Sequence, residues 1–454
     1  MIKVCKFGGS SLADAEQVRK VCDIVLADPD RTVVVVSAPG KRNTADTKVT
    51  DLLIACATQA LAGESCETEV MAVVARYAEI QRALALPEAL VTEIAADVRR
   101  RVAGPTGHAG KFTDSLKAAG EDNSARLIAA ALRARGADAA YIDPKEAGML
   151  LTDEFGNAQL QPESYPLLQA HLKQVRGIAI FPGFFGYTRG GDVATFPRGG
   201  SDITGAILAA AIPAAVYENF TDVDSVYPVD PRLVPEVKHG ISTMTFREMR
   251  ELSYAGFGVF HDEAVLPAIR AGIPINIRNT NEPGLPGTMV VPKREYDACA
   301  VVGIASDDGF VQIYVDKYLM NREVGFGRRL MQIIEDEGLS WEHMPTGIDN
   351  ISVVIREARF TAAVEQRVVQ RIHAELSPDH VLVERGHAII MVVGEGMHYT
   401  VGMAAKATNA LAAAQVNIEM LNQGASEISM MFGVRSADRT RAVRALYDAY
   451  FKTS

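Results

Sequence analysis

Tryptophan, paired cysteine and basic charge are all scarce in this chain, and each shortage closes off a class of protein. Among 454 residues there are five cysteines and a single tryptophan. Cys5, Cys22, Cys56, Cys66 and Cys299 are odd in number and show neither C-x-x-C nor the Cys/His spacing of a zinc site. That argues against a disulfide framework and for reduced cytosolic thiols. Lysine and arginine total 46 against 56 acidic residues, a net charge of −10, which speaks against a nucleic-acid binder. Apolar residues make up 48%, too many for a disordered or collagen-like chain. Long hydrophobic runs are missing: residues 203–217 are broken by Thr204, Gly205 and Pro213 and fall short of the ~20 residues a membrane crossing needs. The opening MIKVCKFGGSS has no basic segment leading into an apolar run, so no secretory signal is expected and the location expected is cytoplasmic.

What is present has a regular order. The length suggests about three domains. β-Branched runs at 2–4, 32–36, 178–181, 215–217 and 275–277 alternate with alanine-rich segments at 51–62, 124–135 and 204–211. Continuous apolar strands separated by helices predict an α/β fold, a parallel sheet covered on both faces as an αβα sandwich. Asn, Gly and Pro cluster in 279–293, NTNEPGLPGTMVVPK, and set the end of a first domain at 1–293. Beyond it, strand 312–315, helix 324–337, strands 340–344 and 350–355, helix 361–376 and strand 380–383 form a βαββαβ unit. A second unit has strand 388–393, helix 399–413, strands 415–421 and 426–433 and helix 439–451, and lacks its last strand. The unassigned run AVVGI at 300–304 is the economical replacement. The expectation is a module at 308–385 inserted within a module made of 299–305 plus 386–454.

Four segments carry chemistry. The first strand ends in Lys6-Phe7-Gly8-Gly9-Ser10-Ser11 and leads into a helix. Glycines admit a polyanion close to backbone N–H groups, and a helix N-terminus adds a favourable dipole. Neither a Walker loop nor G-x-G-x-x-G is matched, and a plain turn is the competing reading. The second strand runs into Ser37-Ala38-Pro39-Gly40-Lys41, a further small-residue loop that faces the same crevice if both strands share a sheet. Arg198-Gly199-Gly200-Ser201-Asp202 precedes a helix; arginine offers a planar fork to a carboxylate or phosphate, and a capping turn is the bland alternative. In Thr221-Asp222-Val223-Asp224-Ser225-Val226-Tyr227, followed by Asp230-Pro231-Arg232, the D-x-D spacing lacks the Gly and Glu of a calcium loop, and a nucleotide edge is the better reading.

With Gly120-Glu121 between them, these segments resemble the aspartate kinases of the amino acid kinase family over essentially the whole chain, and the tandem C-terminal units resemble that family's ACT regulatory domains. The resemblance implies that Lys6 contacts the transferring phosphoryl group and Asp202 organises the lysine. It implies Gly8, Gly9 and Ser10 at the ATP phosphates, with Thr221, Asp222, Tyr227 and Arg232 as the adenosine and phosphate edge. Glu121 would bind the amine of L-aspartate, Arg198 and Ser201 its carboxylate, and Ser37 and Thr50 would line the pocket. Mg²⁺ would be held mainly by ATP phosphates, without a dedicated protein cage. Many members carry a lysine where this chain has Gly258; Lys41 and Lys238 are the alternative cations. In the first small module, Met320, Val324, Gly325 and Phe326 would form the effector loop and Glu342 would meet an effector amine, lysine first and threonine second.

The implied activity is feedback-regulated transfer of the ATP γ-phosphoryl to the aspartate side chain, opening lysine, threonine and diaminopimelate synthesis, in a homodimer or higher homo-oligomer. An aspartate carboxylate, pKa ~3.9, is already ionised at neutral pH, so no general base is needed. A glutamate or acetylglutamate kinase is one rival, and a catalytically weak amino acid sensor another. Lone histidines and Met391, Met397, Met403, Met420, Met430 and Met431 read as packing and surface residues.

Overall fold

The computed structural model describes residues 1–256, 262–296 and 300–452. They form two compact units, the first built from 1–226, 240–246 and 262–294, the second from 227–239, 247–256, 295–296 and 300–452. The chain therefore does not divide at a single point near 293: two short segments of the expected first domain pack with the second unit.

In chain order the first part contributes β1 (Lys3–Phe7), α1 (Ala15–Leu26), β2 (Arg31–Val36), α2 (Val49–Leu61), α3 (Glu67–Ala83), α4 (Glu88–Val102) and α5 (Ala109–Ala134). There follow β3 (Ala139–Tyr141), β4 (Leu150–Leu151), α6 (Ser164–Leu172), β5 (Ile178–Pro182), β6 (Phe185–Thr188), β7 (Val193–Thr195), α7 (Gly200–Ala211) and β8 (Val216–Thr221). Next come β9 (Thr243–Thr245), α8 (Phe246–Tyr254), α9 (Leu266–Arg270), β10 (Ile275–Asn279) and β11 (Thr288–Val291). Eight strands form one sheet in the order β3-β5-β2-β1-β8-β10-β11-β9, and β4-β6-β7 form a small second sheet. In the large sheet every pairing is parallel except β10 with β11. The central strands KVCKF and RTVVVV are buried on both faces because helices cover both sides. Phe7 and Phe220 stack at 4.8 Å across β1 and β8.

Several expected boundaries move. β1 extends through Lys6 and Phe7, so Lys6 belongs to a strand and not to the glycine loop. The helix expected at 124–135 is the last part of the 26-residue α5, whose Gly110 and Gly120 hid its first half from pattern reading. β11 lies inside the Pro/Gly-rich segment taken as a boundary, paired on β10.

The second unit contains β12 (Gly303–Asp316), α10 (Phe326–Asp336), β13 (Trp341–His343), β14 (Asn350–Arg356), α11 (Ala362–Leu376) and β15 (His380–Val393). It closes with α12 (Met403–Ala413), β16 (Met420–Asn422), β17 (Ser429–Arg435) and α13 (Arg439–Phe451). Its six-stranded sheet runs β13-β14-β12-β15-β17-β16. Residue 303 pairs with Val393 and Ile304 with Val392, so the AVVGI segment does lead into a strand of the second module's sheet. The expected pairs of short strands at 300–304 and 312–315, and at 380–383 and 388–393, are instead two continuous 14-residue strands. Gly309, with φ +77°, lies at the register shift where β12 passes from one module to the next. One core holds Val311, Ile313, Leu330 and Val368, the other Ile390, Val392, Leu411 and Leu446. Val229 and Val234 join the latter, which is why 227–239 belongs to this unit.

Candidate active site

The carboxyl ends of β1, β2, β5 and β8 lie side by side, because these strands are parallel neighbours. Such an edge is where open α/β sheets bind ligands. Within β1, alternation puts Cys5 and Phe7 on one face and Lys6 on the other, directly beside Asn219 of β8. The Lys6 ammonium is 2.7 Å from Asp202 Oδ1 in the first turn of α7, with only 9% of its side chain exposed. The Asn219 amide donates to the same Asp202 oxygen at 2.5 Å and its carbonyl accepts from Lys6 at 3.5 Å. A buried ammonium is costly unless paired; Asp202 and Asn219 hold this one in place as a fixed positive charge. Asn219 has no sequence signal of its own within VYENFT.

The two glycine loops meet as expected: Gly40 N–H donates to Gly9 O at 2.8 Å, and Ser37 N–H to Phe7 O at 3.1 Å. Residues 9–12 form a 3₁₀ turn, with Ser10 exposed and Ser11 bonded to Thr280 at 2.7 Å. Thr50 is half-buried in the first turn of α2, which starts where Val49 N–H bonds Pro39 O at 3.1 Å. The 42–48 segment is anchored by Asp46, which binds Arg42 and the buried Arg76; Arg76 also donates to Gly40 O at 2.8 Å. These arginines hold the Asp46 carboxyl far below the usual range, the Arg42 bond being the larger cause. Arg198 is exposed and makes no ion pair among the described residues, whereas Ser201 is buried at the start of α7. An unpaired guanidinium at a glycine-flanked turn is available to an incoming carboxylate.

Glu121 lies mid-way along α5, fully enclosed, and its Oε2 has no partner among the described residues. Burial pushes its carboxyl from the ordinary 4.5 up to about 8, partly offset by the N–H groups of Ala38 and Glu121 and by the Lys117 charge. The helix comes this close to the β2 loop because residue 120 is glycine: a Cβ there would stand 2.7 Å from the Ala38 Cβ. Tyr77 of α3 donates to Gly120 O at 2.6 Å, pinning the turn that carries Glu121. An unsatisfied buried carboxyl is a strong attractor for a cationic group. Tyr77, Arg76 and Asn219 were invisible to sequence reading because their roles are set by contacts with residues 17 to 213 positions away in the chain.

The remaining expected residues are more dispersed. Thr221 ends β8 and bonds Asp222 at 3.1 Å, and Asp224 accepts from Asn279 at 2.5 Å. Tyr227 and Arg232 fall in the second unit, where the exposed Arg232 is paired with Asp230 at 2.8 Å. Lys41 and Lys238 are exposed; Gly258 lies outside the described residues, as does Cys299. Cys5, Cys22, Cys56 and Cys66 are free thiols, all buried. In the effector loop, Met320 and Phe326 are core residues of the first module, Gly325 caps α10 with φ +82°, and Val324 is fully exposed. Glu342 already accepts from Tyr254 and from Arg356 at 3.2 Å. No cluster of three or more His, Cys, Asp or Glu suited to a metal occurs among the described residues, and no helix is long and apolar enough to cross a membrane.

Comparison with known proteins identifies the family. The amino acid kinase family matches residues 1–279 and an ACT domain matches 390–450. Aspartokinase 3 of Bacillus subtilis (strain 168) is 55% identical over 450 residues, 99% of each chain. Lysine-sensitive aspartokinase 3 of Escherichia coli (strain K12) is 28% identical over 462 residues, again 99% of each. Among solved structures, the aspartate kinase of Clostridium acetobutylicum has a TM-score of 0.88 at 36% identity, covering 99% of both chains. The complex of E. coli aspartokinase III with aspartate and ADP has a TM-score of 0.77 at 27% identity, covering all of both. With a lysine held on aspartate at the carboxyl edge of a parallel sheet, and similarity running end to end, this chain belongs to the aspartate kinases of the amino acid kinase family.

Proposed function

We propose that Lys6, Asp202, Glu121, Arg198 and Ser201 carry the transfer of the ATP γ-phosphoryl group to the side-chain carboxylate of L-aspartate, forming 4-phospho-L-aspartate. The observation that supports it most directly is that the buried ammonium of Lys6 is held by Asp202 while the buried carboxyl of Glu121 keeps one oxygen, Oε2, without a partner among the described residues. The first neutralises charge as two anions approach; the second selects an amine on the acceptor. Arg198 and Ser201 receive the substrate α-carboxylate, and Ser37 and Thr50 line the pocket. Gly8, Gly9 and Ser10 lie at the phosphates, the Gly8 N–H donating to Phe220 O at 3.2 Å while Gly9 and Ser10 offer theirs to the ligand, and Thr221 and Asp222 lie at the nucleotide edge. The acceptor is ionised at neutral pH, so catalysis reduces to positioning and charge stabilisation. Mg²⁺ would come with ATP and supply charge neutralisation on its phosphates.

In this reading residues 1–293 form the catalytic domain in sequence terms, with 308–385 as the first ACT module and 299–305 plus 386–454 as the second. Lysine, or threonine, acts through Met320, Val324, Gly325, Phe326 and Glu342, and the enzyme works in the cytoplasm as a homodimer or higher homo-oligomer. Support for lysine comes from E. coli aspartokinase III, whose structure in complex with lysine and aspartate, a T-state, has a TM-score of 0.76 at 27% identity. Hydroxylamine trapping of the acyl phosphate tests the whole: product is expected with ATP and aspartate, and none with glutamate or acetylglutamate. Product with glutamate and none with aspartate would overturn the reading.

A further inference from the structure

Lys117 precedes Glu121 by one helical turn on α5 and is almost buried, with 14% of its side chain exposed. Its ammonium donates to Thr195 Oγ1 at 2.8 Å and to Asp114 Oδ1 at 3.2 Å, and stands 5.1 Å from the centre of the Phe184 ring. Asp114, itself buried, uses its other oxygen to accept the N–H groups of Gly156 at 2.7 Å and Thr195 at 2.8 Å. One side chain thus gathers α5, the end of β7 and the loop after β5.

Phe184 is the unusual partner. Its backbone has φ +76°, a left-handed conformation that is uncommon for a bulky residue and needs support from its surroundings. That support is visible: its N–H donates to Thr204 Oγ1 at 3.0 Å, its carbonyl accepts from Phe196 N–H at 2.9 Å, and Lys117 caps its ring. The residue packed against it is Gly200, the first of α7. A Cβ on Gly200 would lie 3.1 Å from the Phe184 Cα and overlap its ring, so the start of α7 packs directly on Phe184 and does so only because residue 200 is glycine. Ser201 and Asp202 follow immediately.

We propose that Lys117 is a positioning residue for the aspartate pocket: bonded to Thr195 and Asp114 and capping Phe184, it ties the helix that carries Glu121 to the turn that carries Ser201. This rests on Glu121 and Ser201 being aspartate ligands and adds the element that fixes their spacing. A buried cation over an aromatic ring is among the stronger contacts of its kind, and here it acts on substrate-binding geometry without touching the phosphoryl path.

Steady-state kinetics test it. K117M is expected to raise KM for aspartate roughly ten-fold, with kcat within about two-fold and KM for ATP unchanged. K117R, which keeps both charge and ring contact, is expected to recover KM to within about three-fold of the parent. F184L leaves the bond to Asp114 in place and is expected to raise KM for aspartate in the same way, so the link is read even if K117M does not fold. The K117M/F184L double variant should cost no more than the larger single change, because both cut one connection. A parental KM for aspartate in F184L, additive effects in the double variant, or an equal rise in KM for ATP would each overturn the proposal. An unchanged KM for aspartate in Glu121→Gln would instead sink the reading of the pocket, independently of Lys117.

Discussion

Lys6 and Glu121 pose opposite electrostatic problems. Lys6 is a buried cation already paired, with Asp202 at 2.7 Å. Lys6→Ala removes the fixed charge from the phosphoryl path, and its kcat is expected to fall by about 10²–10³ while circular dichroism stays unchanged. Glu121 is a buried acid with one oxygen, Oε2, left without a partner among the described residues, its carboxyl raised to about 8 by desolvation, with Lys117 and Tyr77 the titratable groups nearest in influence. Because its pKa is higher in the folded chain than in the unfolded, the folded state holds the extra proton. Its contribution to stability is therefore full below about pH 4.5 and is lost as pH rises through about 8. Thermal melts should show Glu121→Gln losing less stability than the parent between pH 6 and 9. An ammonium bound at Glu121 favours its ionised form, so KM for aspartate should fall as pH rises from 6 to 8, by at most about ten-fold per unit. A KM flat across that range would remove Glu121 from the amine site.

At the scale of elements, close approach is what assembles the pocket. α5 reaches the β2 loop only because Gly120 has no side chain. Gly120→Ala is expected to cost about 1–3 kcal/mol by overpacking and to raise KM for aspartate, which denaturant melts and initial rates would measure together. Pattern reading found the elements that combine a clear period with a terminal signal: β2, with its run of valines, and α7, entered through Gly-Gly. It misplaced those whose identity depends on a partner. AVVGI and QIYV read as two strands, since the DDG turn signal between them looks like an end; pairing along the whole of β15 makes them one. β11 follows a Pro/Gly cluster and is a strand because β10 offers an open edge.

For the whole molecule, the two compact units are threaded more than once by the chain, so that 227–239 and 247–256 are catalytic-region sequence within the unit that holds the ACT sheet. Lysine or threonine is expected to lower the initial rate. The single Trp341, half-exposed next to Glu342, should change its emission over the same concentration range. Glu342 is engaged by Tyr254 and Arg356, so an effector amine there must displace a phenol that lies on α8. A rate unaffected by both amino acids would remove the effector reading. By itself the sequence determined the layered α/β plan and the glycine loops at strand ends, because turn chemistry and strand period are encoded among near neighbours; Lys6, Glu121, Arg198 and Asp202 owe their proposed roles to the family resemblance of the segments that hold them. Only the tertiary structure decided that Asn219 shares Asp202 with Lys6, that Tyr77 pins Gly120, that Phe184 is held left-handed under Lys117 and that Glu342 is already bonded. Those contacts join residues 17 to 213 positions apart, and local periodicity carries no information about which distant side chains a fold will bring together.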